Sequence, residues 1–257
     1  MCFDLDSRPP ITPIAGGALA SRRLVLTAHD GNRLAAFEAR PGGSADAAIL
    51  ILPDVRGLHP YYEELALRFA ENGIDALAID YFGRTAGAVD RDETFEYMPH
   101  VGRMTWPGTR ADIQAGVEHL RSLPGMSERL FGLGFCMGGR LSFLAATLDL
   151  GLDGVIGFYG RPTGAHPNGS PAPADLAIAM RSRVLALFAG ADPGISSDDV
   201  SVFEASLEHA GVDHHVVTYA DAPHSFFDRK ADAFADASAA AWEETLRFIR
   251  DRTVQPN

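Results

Sequence analysis

One cysteine has neighbours that would make it a nucleophile. In Gly134-Phe135-Cys136-Met137-Gly138-Gly139 a thiol sits where a short apolar run, Arg129 to Phe135, meets a helical pattern over Leu141, Phe143, Leu144, Ala145 and Ala146. Strand, tight turn and helix with a reactive side chain at the apex is the pattern of a nucleophile elbow, with sulfur in place of the usual serine oxygen. That chemistry needs glycine on both sides. The apical residue is forced into a strained backbone conformation, and a side chain at Gly134 or Gly138 would collide with the neighbouring strand and helix. The strain lifts the thiol clear of the sheet and aims the N–H of Met137, at the start of the helix, towards a developing oxyanion. Two other readings are weaker. A dinucleotide-binding fingerprint begun by Gly132 and Gly134 would need its third glycine at 137, where the chain has methionine. Most free cysteines are small buried hydrophobes, but few of those carry this glycine pattern.

The elements that must position such a group follow from the hydrophobic pattern. Arg23 to Ala28, the turn His29-Asp30-Gly31-Asn32, and Arg33 to Glu38 read as a β-hairpin. Continuous apolar runs at Ala47–Leu52 and Ile74–Ile79 read as strands buried on both faces. Further strands are expected over Val155–Tyr159, Val184–Ala189 and His215–Tyr219, and helices over Tyr62–Asn72, Asp112–Leu123, Asp199–Ala210 and Ala231–Arg250. This alternation predicts an α/β fold: a mostly parallel central sheet with helices on both faces and an antiparallel N-terminal hairpin. Residues 1–22 read as an irregular arm, and 23–257 as a single domain with 81–108 as a loop excursion over the active site.

In such a sheet the site lies at the carboxyl ends of the strands, so the polar residues that follow strands are the ones to weigh. Cys136 follows one strand, Asp192 a later one and His224 the last, in the order nucleophile, acid, base, which is that of an α/β-hydrolase. Asp198 and Asp199 compete with Asp192, but they stand at a helix start, where aspartate commonly caps. Of nine histidines, His224 leaves the last strand at the correct end, whereas His214 and His215 enter that strand from the opposite one. Trp106, Tyr97 and Tyr159 could line an apolar pocket.

The chain resembles the dienelactone hydrolases of the α/β-hydrolase superfamily. The likeness is carried by Gly134-Phe-Cys-Met-Gly-Gly139, Gly190-Ala-Asp192, Pro223-His-Ser-Phe226, Asp80-Tyr-Phe-Gly-Arg84 and Leu52-Pro-Asp-Val-Arg-Gly57. The resemblance implies Cys136 as nucleophile, His224 as proton shuttle, Asp192 as its orienting carboxylate, and the N–H groups of Val55 and Met137 as oxyanion hole. It implies hydrolysis of small esters or lactones of the carboxymethylenebutenolidase type through a thioester acyl-enzyme. Asp54 stands where the family has an acid on the resting thiol, and Arg84 matches an arginine that binds the substrate carboxylate. A second such arginine lies four residues after the histidine in the family. Here that place holds Asp228, with Arg229 next to it, which leaves a different ester or lactone open as substrate.

Bulk properties narrow the classes. The 257 residues, 46% hydrophobic and 22% charged, are those of an ordinary globule. A net charge of −12 argues against nucleic acid or an anionic membrane as partner. The two cysteines, Cys2 and Cys136, give no reason to expect a disulfide and fit a reducing cytoplasm. No leader or spanning segment is expected. No metal or organic cofactor is expected either, because His and Cys nowhere cluster at ligand spacing. A competing function is a thiol-based redox enzyme or peroxide sensor using Cys136, and a third is a silent binding protein on a hydrolase scaffold.

Overall fold

The computed structural model describes residues 6–14, 19–91 and 94–251, so Cys2 lies outside the described residues. Strands flanked by helices on both sides can bury only apolar side chains, and the central ones do so throughout. Every residue of β3 (Ala47–Leu52), β4 (Ile74–Ile79), β5 (Leu130–Phe135) and β6 (Gly154–Phe158) is buried. The single charge among them, Asp75, is matched by Arg40 at 2.9 Å. With β1 (Leu19–Thr27), β2 (Arg33–Pro41), β7 (Arg183–Ala189) and β8 (His214–Tyr219) they form one sheet in the order β1-β2-β4-β3-β5-β6-β7-β8. β2 pairs antiparallel with both β1 and β4, and the other pairs are parallel. Parallel pairing puts the carboxyl ends of β3 to β8 on one rim, where Cys136, Asp192 and His224 all emerge.

Both faces of the sheet are covered. Along β5, Phe131 packs on Phe248 of α7 (Ala235–Arg250), while the next residue, Gly132, faces Ser142 of α5 (Met137–Ala145). α1 (Pro60–Glu71) joins α7 through Phe69 and Trp242, whose rings lie 4.9 Å apart. α6 (Ser197–Ala210) joins α5 through Phe203 and Phe143 at 4.8 Å. The stretch 81–108 contains two short helices, α2 (Gly83–Ala86) and α3 (Met98–Val101).

Helix α4 (Trp106–Ser122) starts six residues before the expected Asp112. Pro107-Gly108 reads as a loop, but proline in a first turn sacrifices no helical hydrogen bond. The Thr105 hydroxyl caps that turn by accepting from the Gly108 N–H. The last helix starts at Ala235 rather than Ala231, after a 3₁₀ turn over Asp232–Phe234.

The loop after β6 is fixed from within by Arg140. This guanidinium is fully buried and donates to the carbonyls of Arg161, Thr163, Gly164, Ser170 and Pro171 and to the Ser170 hydroxyl. Burial and the neighbouring Arg161 lower its pKa to about 10, so it remains a cation at neutral pH. Replacing Arg140 with methionine would strand these acceptors and should cost about 3 kcal/mol or more in urea unfolding. A loss below about 1 kcal/mol would show that other contacts hold the loop.

Candidate active site

The site is built on the turn from β5 to α5. Cys136 has φ 55° and ψ −115°, a conformation that a side-chain-bearing residue holds only when its surroundings over-determine it. Here they do. The Cys136 N–H donates to the Phe158 carbonyl at 3.0 Å, and the Cys136 carbonyl accepts from the Arg140 N–H at 3.1 Å. A Cβ on Gly134 would overlap the Gly138 carbonyl, and one on Gly138 would overlap the carbonyls of Leu52 and Pro53. The first turn of α5 therefore lies directly on the end of β3. Met137 is the first residue of α5, so its N–H belongs to the four that have no acceptor within the helix.

Asp192 and His224 are brought together from different strands. The turns after β7 and β8 are stitched to each other by Gly190 N–H to Tyr219 O at 2.8 Å and Ala191 N–H to Ala222 O at 3.0 Å. Asp192 Oδ1 accepts from the Gly194 N–H at 2.8 Å, and Oδ2 meets His224 Nδ1 at 2.5 Å. Burial pushes the Asp192 carboxyl up, but the His224 hydrogen bond and charge, with the Gly194 N–H, outweigh it and hold the pKa below the usual carboxylate range. An ionised Asp192 makes Nδ1 the donor, which leaves Nε2 as the proton-accepting nitrogen.

Tyr159 joins the two halves. It is buried, its ring lies 4.9 Å from the His224 imidazole and 6.1 Å from Phe135, and it follows the residue whose carbonyl holds Cys136. Beneath it Phe135, Phe158 and Phe227 pack as an aromatic floor, with Phe135 and Phe158 stacked at 4.6 Å. Among the described residues the only non-glycine positions with positive φ are Cys136, Tyr159 and Ser225. All three lie in this site.

The strand–turn after β3 closes the other side. Asp54 is buried, and its Oδ1 accepts from the Arg56 N–H at 2.8 Å, closing its own turn. Its Oδ2 has no hydrogen-bond partner among the described residues and lies 3.7 Å from Arg56 Nη2. Arg56 Nη2 also lies 3.3 Å from His59 Nε2, and burial lowers the His59 pKa. Tyr62 accepts from the Asp54 N–H at 2.9 Å, and Tyr81 donates to the Pro53 carbonyl at 3.0 Å. Burial pushes the Tyr81 phenol well up, and the nearby carboxylates of Asp54 and Asp80 add to this.

The model of the dienelactone hydrolase family matches residues 34–253. The chain belongs to the dienelactone hydrolase family. A Salmonella typhi protein named "Putative carboxymethylenebutenolidase" is 26% identical over 227 residues, covering 85% of this chain and 83% of that one. A Klebsiella pneumoniae crystal structure, "Putative Dienelactone Hydrolase", matches with a TM-score of 0.78 at 25% identity, over 90% of this chain and 98% of that one. An acylaminoacyl peptidase of Pyrococcus horikoshii shares the fold with a TM-score of 0.71 at 16% identity, over 92% of this chain and 43% of that one. The protein is a hydrolase of the dienelactone hydrolase type.

Two residues expected at the substrate, Arg84 from the family resemblance and Trp106 as an aromatic pocket wall, make the following contacts. Arg84 spends its hydrogen bonds on Asp30 (2.6 and 3.1 Å) and Asp112 (2.9 and 3.2 Å). Its guanidinium is therefore paired with two carboxylates of the protein itself. Trp106, the first residue of α4, is half-buried against the core, two residues before Gly108, where an added Cβ would come within 2.9 Å of Arg84 Nε. Val55 is partly buried against the core. Sequence reasoning assigned no role to Arg140 or Tyr81. The signal for Tyr81 was its place directly after a buried strand, and for Arg140 a lone cation in an otherwise apolar helix start.

The lowered pKa of Asp192 sets a pH dependence. A carboxylate whose folded pKa lies below its ordinary value of 3.8 stabilises the fold above that value, and the contribution disappears as pH falls through the folded pKa. Asp192→Asn should therefore melt below the wild type at neutral pH, with the gap narrowing on acidification below about pH 4. A gap that stays constant from pH 7 to pH 3 would contradict the assigned ion pair.

Proposed function

We propose that the protein hydrolyses small esters or lactones through a Cys136–His224–Asp192 triad and a thioester acyl-enzyme. The observation that carries the reading is the 2.5 Å contact between His224 Nδ1 and Asp192, on the same rim as a cysteine held in a strained turn. His224 Nε2 takes the thiol proton as sulfur attacks the carbonyl carbon. The carbonyl oxygen gains the negative charge and is met by the N–H groups of Val55 and Met137. Collapse of the tetrahedral intermediate expels the alkoxide, which leaves with the proton from His224, and a thioester remains on Cys136. Water then gives its proton to His224 and attacks the thioester, and the carboxylic acid departs as the thiol is restored. Asp192 holds the imidazole in the Nδ1–H tautomer throughout and stabilises the transient imidazolium.

Asp54 fits the same scheme. Its Oδ2, the carboxylate oxygen left over by the turn, is the acceptor for the resting thiol. The substrate is a small molecule bound at the strand rim, with Tyr159 as an apolar wall beside His224.

Intact-mass spectrometry during turnover of a p-nitrophenyl ester, a neutral lactone and a carboxylated dienelactone tests the reading. An acyl adduct should accumulate on the wild type and be absent from Cys136→Ala. His224→Ala should lose about a thousandfold or more in kcat/KM. Adduct formation in Cys136→Ala, or unimpaired turnover in His224→Ala, would defeat the triad.

A further inference from the structure

The N-terminal segment crosses the loop that carries His224. Ser7 is fully buried and donates its hydroxyl to Asp228 Oδ2 at 2.6 Å, and the Arg8 N–H donates to Asp228 Oδ1 at 3.3 Å. In the reverse direction the Arg229 N–H donates to the Arg8 carbonyl at 2.9 Å. Lys230 pairs with Asp6 at 2.6 Å, and Arg8 and Arg229 meet Glu64 of α1 at 3.3 and 2.5 Å. From α1, Tyr61 donates to the Phe227 carbonyl at 2.5 Å. Residues 227 to 230 are thus held from two sides.

This anchoring matters because of what lies between it and the imidazole. Ser225, the residue after His224, has φ 62°, and a non-glycine residue stays in that region only when its surroundings hold it there. Asp192 and Tyr159 constrain His224 on one side of this strained pivot. On the other side the constraint comes from the arm and from Tyr61.

We propose that Ser7, Arg8 and Asp228 are positioning residues for His224: the arm clamps the loop at Asp228 and so keeps Ser225 strained and the imidazole on Asp192. The catalytic half of this proposal rests on His224 acting as the proton shuttle. Asp228 on this account is occupied by the protein's own chain and makes no contact with substrate.

The test uses full-length Ser7→Ala, Asp228→Ala, their double variant and Asp228→Asn, with p-nitrophenyl ester kinetics and amide hydrogen exchange over 222–231. Each alanine variant should lower kcat about tenfold with KM within about twofold, since misplacing a proton-transfer group slows chemistry more than binding. The double variant should lose no more than the worse single one, because both remove the same bond. Asp228→Asn, which keeps an oxygen for the Ser7 hydroxyl, should recover to within about threefold of wild type. Exchange at 225–231 should quicken in both alanine variants while the sheet stays protected. Wild-type exchange in Ser7→Ala would overturn the clamp, and quicker exchange with unchanged kcat would overturn its catalytic role. An inactive wild type, or an active His224→Ala, would defeat the function itself and the catalytic half with it, while exchange still reports on the clamp. If Asp228→Ala does not fold, Ser7→Ala carries the same outcomes.

Discussion

The contact between the first turn of α5 and the end of β3 is the constraint on which the site depends. No Cβ fits at Gly138 because the carbonyls of Leu52 and Pro53 occupy its space, and none fits at Gly134 because the Gly138 carbonyl does. Two backbones this close tolerate no slippage. They fix the height of Cys136 above the sheet and set the end of β3 against the start of α5. The strain at Cys136 is held by the same packing, since its N–H is bonded to Phe158 on the neighbouring strand. A less exact approach would leave a cysteine of ordinary conformation lying along the sheet.

Several arginines of the sheet and its loops are matched by carboxylates. Arg84 is matched by Asp30 and Asp112, Arg91 by Asp80, and Arg22 by Glu38. Among the described residues Arg140 has no carboxylate in its hydrogen-bond shell and is solvated by loop carbonyls instead. Buried charges require such partners because desolvation is costly. Against that background Asp54 Oδ2, a buried carboxylate oxygen with no hydrogen-bond partner among the described residues, stands out.

The family and the wider fold answer different questions. The dienelactone hydrolase family spans residues 34–253 and makes the protein a hydrolase of that type. The same architecture also serves an acylaminoacyl peptidase of Pyrococcus horikoshii, so the scaffold by itself does not select a substrate. The loops at the strand rim are held by contacts distant in sequence. Arg140 cages the loop after β6, and the N-terminal arm lies on the loop after β8.

Much of this was legible in the chain. The apolar runs of β3 and β4 match the observed strands residue for residue, because a strand covered on both faces can hold nothing else. Cys136, Asp192 and His224 could be picked out because each follows a strand end in a fixed order, a property of chain connectivity. Cap chemistry was less visible. α4 starts at Trp106 rather than Asp112 because Thr105 caps a first turn that tolerates Pro107. What the chain could not reveal are contacts between residues far apart in sequence. That Ser7 meets Asp228, that Arg84 is spent on Asp30 and Asp112, and that Arg140 holds the loop after β6 depend on which surfaces the fold brings together. Local spacing encodes strands, turns and the elbow, whereas long-range pairing of polar groups is decided only once the sheet has assembled.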